Sequence, residues 1–266
     1  MPLLLEDLHM STRGHPESVL GDPRVGGESV AMGVAAGPSP ADDFRLGVMM
    51  LDTRFPRPVG DIGNAASFDH PVRFARVTSA SVPAVVNSCI AETIVEDFVD
   101  AGLRLVNDGV SCLATSCGFV CAIHDRLQAR LPVPLVSSAL NLVPWLHEGC
   151  ATDGPIGVLT FDARVLGRAH FGRFWRDGLV IQGLEASETF YPTIRFDRRC
   201  WDPARVEQEV FTAADALQRR APDMQALLLE CTNLAPYRQR LRARLGIAVA
   251  DIHTAIQRVR CGVERF

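Results

Sequence analysis

Lysine is absent from all 266 residues, so the 27 basic side chains are arginines. Without an ε-amine no internal aldimine can form, which excludes pyridoxal phosphate held in the usual way. Long apolar runs are missing too: none reaches the ~18–20 residues that a membrane span needs. The opening residues carry Leu3, Leu4 and Leu5 without a basic flank, and Glu6 and Asp7 interrupt them, so no secretory signal is expected. Charge of one sign is scarce as well. The formal net charge is −4 and the basic residues are not run together, which leaves no electrostatic footprint for nucleic acid. Eight cysteines are too dilute for a disulfide scaffold, and none is spaced as C-x-x-C, the usual dithiol redox element. The sequence therefore predicts a cytoplasmic protein with reduced thiols and neither a nucleic-acid nor a membrane partner.

What is present is an ordinary globular balance, 47% hydrophobic and 22% charged. Residues 1–43 mix Gly, Pro, Ser and charge, as in Gly37-Pro38-Ser39-Pro40, with no sustained strand or helix period. They are expected to form a flexible N-terminal extension. From Phe44 onward, short apolar runs at 46–51, 74–78, 110–115, 135–137, 156–161, 180–184, 226–229 and 248–250 read as strands. They alternate with helix-period segments at 90–105, 118–130, 141–148, 164–176, 203–219, 236–245 and 252–261. This alternation predicts an α/β fold of parallel sheets flanked by helices, with chemistry at the carboxyl ends of the strands. There is also an internal echo. Gly47-Val48 with Asp52 and Arg54 recurs as Gly157-Val158 with Asp162 and Arg164, offset by 110 residues, and Cys117 recurs as Cys231, offset by 114. Two echoes in step predict a duplication: a first α/β domain at 44–153 and a second at 154–266, with the C-terminal helix free to pack back on the first.

Cys117 and Cys231 each sit just past a strand and just before a helix. A helix N-terminus offers unpaired N–H groups and positive partial charge, so a thiol there is expected to shift toward thiolate. Cys112 falls within a strand, Cys89 and Cys261 in or beside helices, and Cys150 and Cys200 in loops. Cys117, Cys121 and His124 share a helical spacing, but without a C-x-x-C element packing or capping explains Cys121 and His124 better than a metal site. Asp52 and Asp162 end the first strand of each half. Asp52 either assists a thiol or holds a substrate ammonium, or else simply caps the next turn. Arg54 and Arg57 follow in a loop shaped by Pro56, Pro58, Gly60 and Gly63, where an arginine can clamp a carboxylate. Together with Asn64, Thr115, Ser116, Thr160, Thr232 and Asn233, these form the candidate substrate contacts. His253 is a weaker candidate, and Arg238, Arg240, Arg242 and Arg244 read as a solvated helix face.

At these residues the sequence resembles the aspartate/glutamate racemase superfamily. Cys117 in A-T-S-C-G-F and Cys231 in L-L-E-C-T-N-L carry the resemblance, which covers Phe44 to the C-terminus; the Cys-Thr of the second motif is the more specific element. The segment from Gly47 to Asn64 looks like a less characterised branch. The resemblance implies two pseudo-symmetric domains facing each other across a cleft. It also implies one cysteine on each face of a Cα carbon, with neither cofactor nor metal. Three departures stand out. Family members often carry Cys-Asn-Thr at the first site, where this chain has Cys117-Gly118-Phe119. An alternative register places Ala114 at the first nucleophile position, as in arylmalonate decarboxylases with one working cysteine. Asn233 stands where glutamate racemases have histidine.

The leading expectation is an isomerase, a racemase or epimerase of an amino acid or related carboxylic acid, in which one thiolate removes the α-proton and the opposite thiol returns one. A one-cysteine decarboxylase or a cis–trans isomerase needs only Cys231, and a two-lobed binding protein needs neither thiol. The expected partner is a small-molecule substrate, and a homodimer is the assembly left open. Residues 1–42 offer no periodic apolar face to bury, so their deletion should leave fold and activity unchanged. A large fall in melting temperature on truncation would show that the segment packs against the body.

Overall fold

The computed structural model describes residues 44–150 and 154–266. The expected extension at 1–43 and the expected junction at 151–153 lie outside the described residues. The first half carries β1 (Leu46–Leu51), β2 (Val72–Val77), β3 (Cys112–Thr115) and β4 (Leu135–Val136), with helices α1 (Val82–Val85), α2 (Glu92–Asn107), α3 (His124–Gln128) and α4 (Val143–Gly149). The second carries β5 (Ile156–Thr160), β6 (Leu179–Gly183), β7 (Ala226–Leu229) and β8 (Ala248–Ala250). Its helices are α5 (Arg168–Phe171), α6 (Phe190–Arg195), α7 (Pro203–Arg220), α8 (Arg238–Leu245) and α9 (Ile252–Arg260). The sheets run β2-β1-β3-β4 and β6-β5-β7-β8, and every pairing is parallel. The two orders are the same pattern, so the sequence echo marks equivalent strands.

Composition explains the elements. The central strands are continuous apolar runs because helices cover both faces of a parallel sheet, and Leu46, Val48 and Met49 are wholly buried in β1. Helix α2 buries Ile94, Val95, Phe98, Val99, Gly102 and Leu105 along one stripe. Helix α7 starts on Asp202, whose carboxylate accepts from the N–H groups of Ala204 and Arg205, with Pro203 in the first turn. It buries Val206, Val210, Ala214 and Leu217. The expected solvated face of α8 is exposed at Arg240 and Arg244, and its arginines also form ion pairs: Arg240 with Glu207 and Arg244 with Asp215 on α7, while Arg238 reaches Asp251.

Four expected helices begin or run differently, and the one expected at 141–148 opens within the 3-10 helix Ala139–Leu142 before α4. The segment expected at 118–130 opens as a 3-10 helix, Gly118–Ile123, before α3, and the one expected at 236–245 is preceded by another, Thr232–Tyr237. The segment expected at 164–176 reduces to α5 and a 3-10 turn, broken where Gly172 takes φ +53°. Helices α1 and α6 carry no readable period, being four and six residues long with a proline near the start of each.

The two halves share one apolar core. Helix α9 packs back on the segment Ala139–Leu142 and on β4, and α5 packs on Gly118–Ile123. The loop after β1 crosses to the other half at Gly60, whose carbonyl accepts from His253 Nε2 at 2.8 Å. Gly60 has φ +100°, and a Cβ there would lie 2.7 Å from Pro236 Cα. Strain and a backbone clash coincide, so Gly60→Ala should destabilise by about 1–3 kcal/mol. An unchanged denaturation midpoint would show that this crossing is not held closed.

Candidate active site

Cys117 and Cys231 occupy equivalent posts, each the extended residue that caps the 3-10 helix following the third strand of its sheet. Both line one narrow cleft, partly open to solvent, with about 20 Å³ free for the centres of water-sized molecules. Hydrogen bonds fix the two turns. Thr115 Oγ1 lies 2.6 Å from the Ser137 carbonyl and 3.1 Å from that of Cys117. The Leu51 N–H donates to Ser116 Oγ at 2.9 Å, joining the ends of β1 and β3. Across the cleft, Thr232 Oγ1 donates to the Ser116 carbonyl at 2.8 Å, so one cysteine turn is bonded directly to the other.

A buried polar chain runs behind Cys231. Its thiol lies 3.6 Å from Asn233 Oδ1, and Asn233 Nδ2 donates to Asp61 at 2.7 Å. Asp61 also accepts from Arg57 at 2.8 Å and from the Gly63 N–H at 2.7 Å. Arg57 reaches Thr53 Oγ1 at 2.9 Å, and its guanidinium lies 4.6 Å from the centroid of the Phe55 ring. Asp61 is fully buried and accepts hydrogen bonds from Arg57, Gly63 and Asn233, the condition under which a buried charge is tolerated.

Glu230 is the residue that sequence reasoning missed. It is fully buried in the pocket wall immediately before Cys231. Oε2 accepts from Thr160 Oγ1 at 2.7 Å, while Oε1 has no hydrogen-bond partner among the described residues. Burial raises this carboxyl to about 7, against the opposing pull of Thr160 and the Phe161 backbone. The only advance signal was its place at the carboxyl end of β7.

The expected shift of the thiols toward thiolate is reversed. Burial, followed by the neighbouring Glu230, pushes Cys117 up to about 12, and the N–H groups of Phe119 and Val120 only partly oppose it. Burial and Glu230 likewise raise Cys231 well above its ordinary value, with Cys117 adding to the effect. In this ligand-free cleft desolvation outweighs the partial charge of a helix start. Two thiols that sense each other's charge across one pocket suit proton transfer to and from a carbon, where a base of high proton affinity is needed.

Of the sequence candidates, Arg57, Ser116, Cys117, Cys231, Thr232 and Asn233 line the pocket. Thr115 and Thr160 stand behind it, holding the Cys117 turn and Glu230. Asp52 is drawn off to Arg76 at 3.2 Å, and Arg54 is exposed, contributing only its backbone N–H to Asp197. Asn64 caps the short turn Ala65–Ser67 and donates to the Arg57 carbonyl at 2.9 Å. Asp162 faces an adjoining pocket, bonded to Arg164 and Tyr191. Ala114 lies inside β3, paired with Val48 and Val136 and wholly buried, whereas Cys117 lies past the strand end and lines the pocket. Among the described residues, no group of three or more His, Cys, Asp or Glu side chains is arranged to hold a metal ion, and no helix is long and apolar enough to cross a membrane.

Residues 62–258 match the Asp/Glu/Hydantoin racemase family, and the chain belongs to that family. Among curated proteins it is similar to a dimethylsulfoniopropionate lyase of Durusdinium sp. clade D, 29% identical over 214 residues, covering 77% of this chain and 70% of that one. It is also similar to dimethylsulfoniopropionate lyase 3 of Emiliania huxleyi, 27% identical over 221 residues, covering 79% of this chain and 57% of that one. Among solved structures, allantoin racemase from Klebsiella pneumoniae superposes with a TM-score of 0.55 at 13% identity, covering 84% of this chain and 90% of that one. A sulfate-associated mutant of arylmalonate decarboxylase gives 0.52 at 16% identity, covering 82% and 92%. These structural likenesses establish the fold alone.

Cys231 is buried, Cys117 is half-buried and both thiols are raised, which sets an order of reactivity. Iodoacetamide near neutral pH should label the exposed Cys89, Cys200 and Cys261 first, and Cys117 and Cys231 slowly. Because both thiols are raised, their labelling should keep accelerating above pH 9 as the thiolate fraction grows. Peptide mapping with Cys117 or Cys231 among the fastest sites would mean that the cleft opens widely in solution.

Proposed function

We propose that this chain is a lyase that removes a proton α to a carboxylate with a cysteine thiolate and expels a sulfonium group from the β-carbon. The observation that carries the reading is a cysteine thiol, Cys231, on one pocket with Arg57. The named activity of the curated relatives supports the choice of leaving group. With dimethylsulfoniopropionate the electrons balance without a co-reactant. The thiolate takes the α-hydrogen, the C–H pair forms the Cα–Cβ double bond, and the Cβ–S pair leaves with neutral dimethyl sulfide. Acrylate remains, and the thiol returns its proton to solvent. Arg57 spends two bonds on Asp61 and Thr53, which leaves further N–H donors for the substrate carboxylate. Backbone N–H groups at the two 3-10 starts oppose the charge that builds there in the transition state.

A second reading, racemisation of a carboxylic acid, is favoured by the equivalent posts of the two thiols, since two-base chemistry needs one on each face. Mutation separates the two. Elimination needs one base: Cys231→Ser should lower dimethyl sulfide release by about 10²–10⁴-fold while Cys117→Ser stays measurably active. Racemisation requires both, so each variant would be inactive. Wild-type protein that releases no dimethyl sulfide, yet exchanges the α-hydrogen of both hands of a chiral carboxylic acid in deuterated water, would replace the lyase reading with the racemase one.

A further inference from the structure

Glu230 is left unexplained by proton abstraction alone. A carboxylate beside two thiols disfavours both thiolates, yet this one is fully buried there with Oε1 unpartnered among the described residues. Among the described residues no ion pair holds it, and Arg57, which lines the pocket, is bonded to Asp61. A buried carboxylate without a partner binds either a proton or a cation. The chain also makes room for it: a Cβ on Gly118 would fall 2.1 Å from Glu230 Oε1 and 2.5 Å from the Glu230 carbonyl oxygen.

We propose that Glu230 is the specificity-determining residue of this pocket, recognising the methylated onium end of a zwitterionic carboxylate substrate while Arg57 faces the opposite charge. Glu230 offers a negative charge to the onium end, and the N–H groups that Arg57 does not spend on Asp61 and Thr53 are donors for the carboxylate. The remaining wall selects the kind of cation. An ammonium brings three N–H donors that each need an acceptor; the side chains of Ser116, Thr232 and Asn233 are already bonded to the Leu51 N–H, the Ser116 carbonyl and Asp61, and Phe55, Phe119, Phe161 and Val86 supply no acceptor. A tertiary sulfonium or quaternary ammonium needs no acceptor and is attracted by aromatic rings and a carboxylate together. Its positive charge also offsets Glu230, so substrate binding favours the thiolate that the empty pocket disfavours. This deepens the lyase reading and rests on its placement of the substrate in this pocket.

Binding tests the inference without turnover. The full chain is titrated calorimetrically with 3-(trimethylammonio)propanoate and with 4,4-dimethylpentanoate, which has the same shape but no positive charge. The cation should bind about 10–100-fold more tightly, and Glu230→Gln should reduce that preference to about twofold or less. If Glu230→Gln does not fold, the wild-type preference measured between pH 5.5 and 8.5 decides. The carboxyl is raised to about 7, so its charge, and with it the preference, should fade as pH drops through that value. Over that range Cys117 and Cys231, both raised, stay neutral. The other charged groups at the pocket are Arg57 and Asp61, which are bonded to each other. Equal binding of the two ligands by wild type, or a preference that survives in Glu230→Gln, overturns the inference. A preference without any release of dimethyl sulfide upholds the cation site and rejects the lyase reaction; release without a preference does the reverse.

Discussion

The contact between Glu230 and Gly118 governs how closely the halves approach. The Glu230 carboxylate and carbonyl both lie where a side chain at position 118 would begin. Only because that position lacks a Cβ can the turn after β7 lie against the turn after β3. Thr232 then reaches the Ser116 carbonyl, and the cysteines come to share one pocket. Both contacts are made by the backbone and short side chains of the turns themselves, so the spacing of the thiols is set by main-chain packing. Geometry of that kind is stiffer than anything long surface side chains provide, and proton transfer at carbon depends on it.

Close approach has an electrostatic consequence. Removing water from the cleft raises both thiols and the carboxyl between them, since each loses hydration of its charged form. An unpartnered buried oxygen such as Glu230 Oε1 costs about 1–3 kcal/mol, which the shared core across the halves has to offset. Burial thus favours the neutral form of both thiols, and a cation beside Glu230 offsets the charge that adds to that effect. Behind the site, the Arg57–Asp61–Asn233 chain fixes the ring of polar groups around Cys231 without adding net charge.

The frame of this fold was legible because parallel sheets write themselves as short apolar runs. Leu46–Leu51, Ala226–Leu229 and Ala248–Ala250 could be bounded to the residue, and the echo of Gly47-Val48 in Gly157-Val158 located equivalent strands. The positions of Cys117 and Cys231 followed from strand ends alone. Less legible were the partners. Asp61 meets Asn233 across a separation of 172 residues, and no local pattern announces such a pair. Asp52 and Arg54 shared the right strand end, but the neighbouring β2 supplied Arg76 for one, and the other turned outward. The sign of the thiol shift was misread for a similar reason: a helix start is visible in sequence, whereas desolvation arises only when the second half closes over it.

That nonlocality accounts for the most conspicuous departure of the first motif from its family. Cys117-Gly118-Phe119 replaces a pattern with a polar residue after the cysteine, and nothing within the first half requires glycine there, since Gly118 is not among the glycines held at positive φ. The requirement comes from the second half, where a glutamate precedes Cys231. A polar side chain at 118 would occupy the volume of the Glu230 carboxylate, and a small residue at 230 would leave a void beside Gly118. The two positions therefore behave as one unit divided between the halves. A site built this way exchanges a neutral polar contact at the first cysteine for a buried negative charge between the two. That exchange alters which substrates the pocket can hold while leaving the placement of both thiols intact.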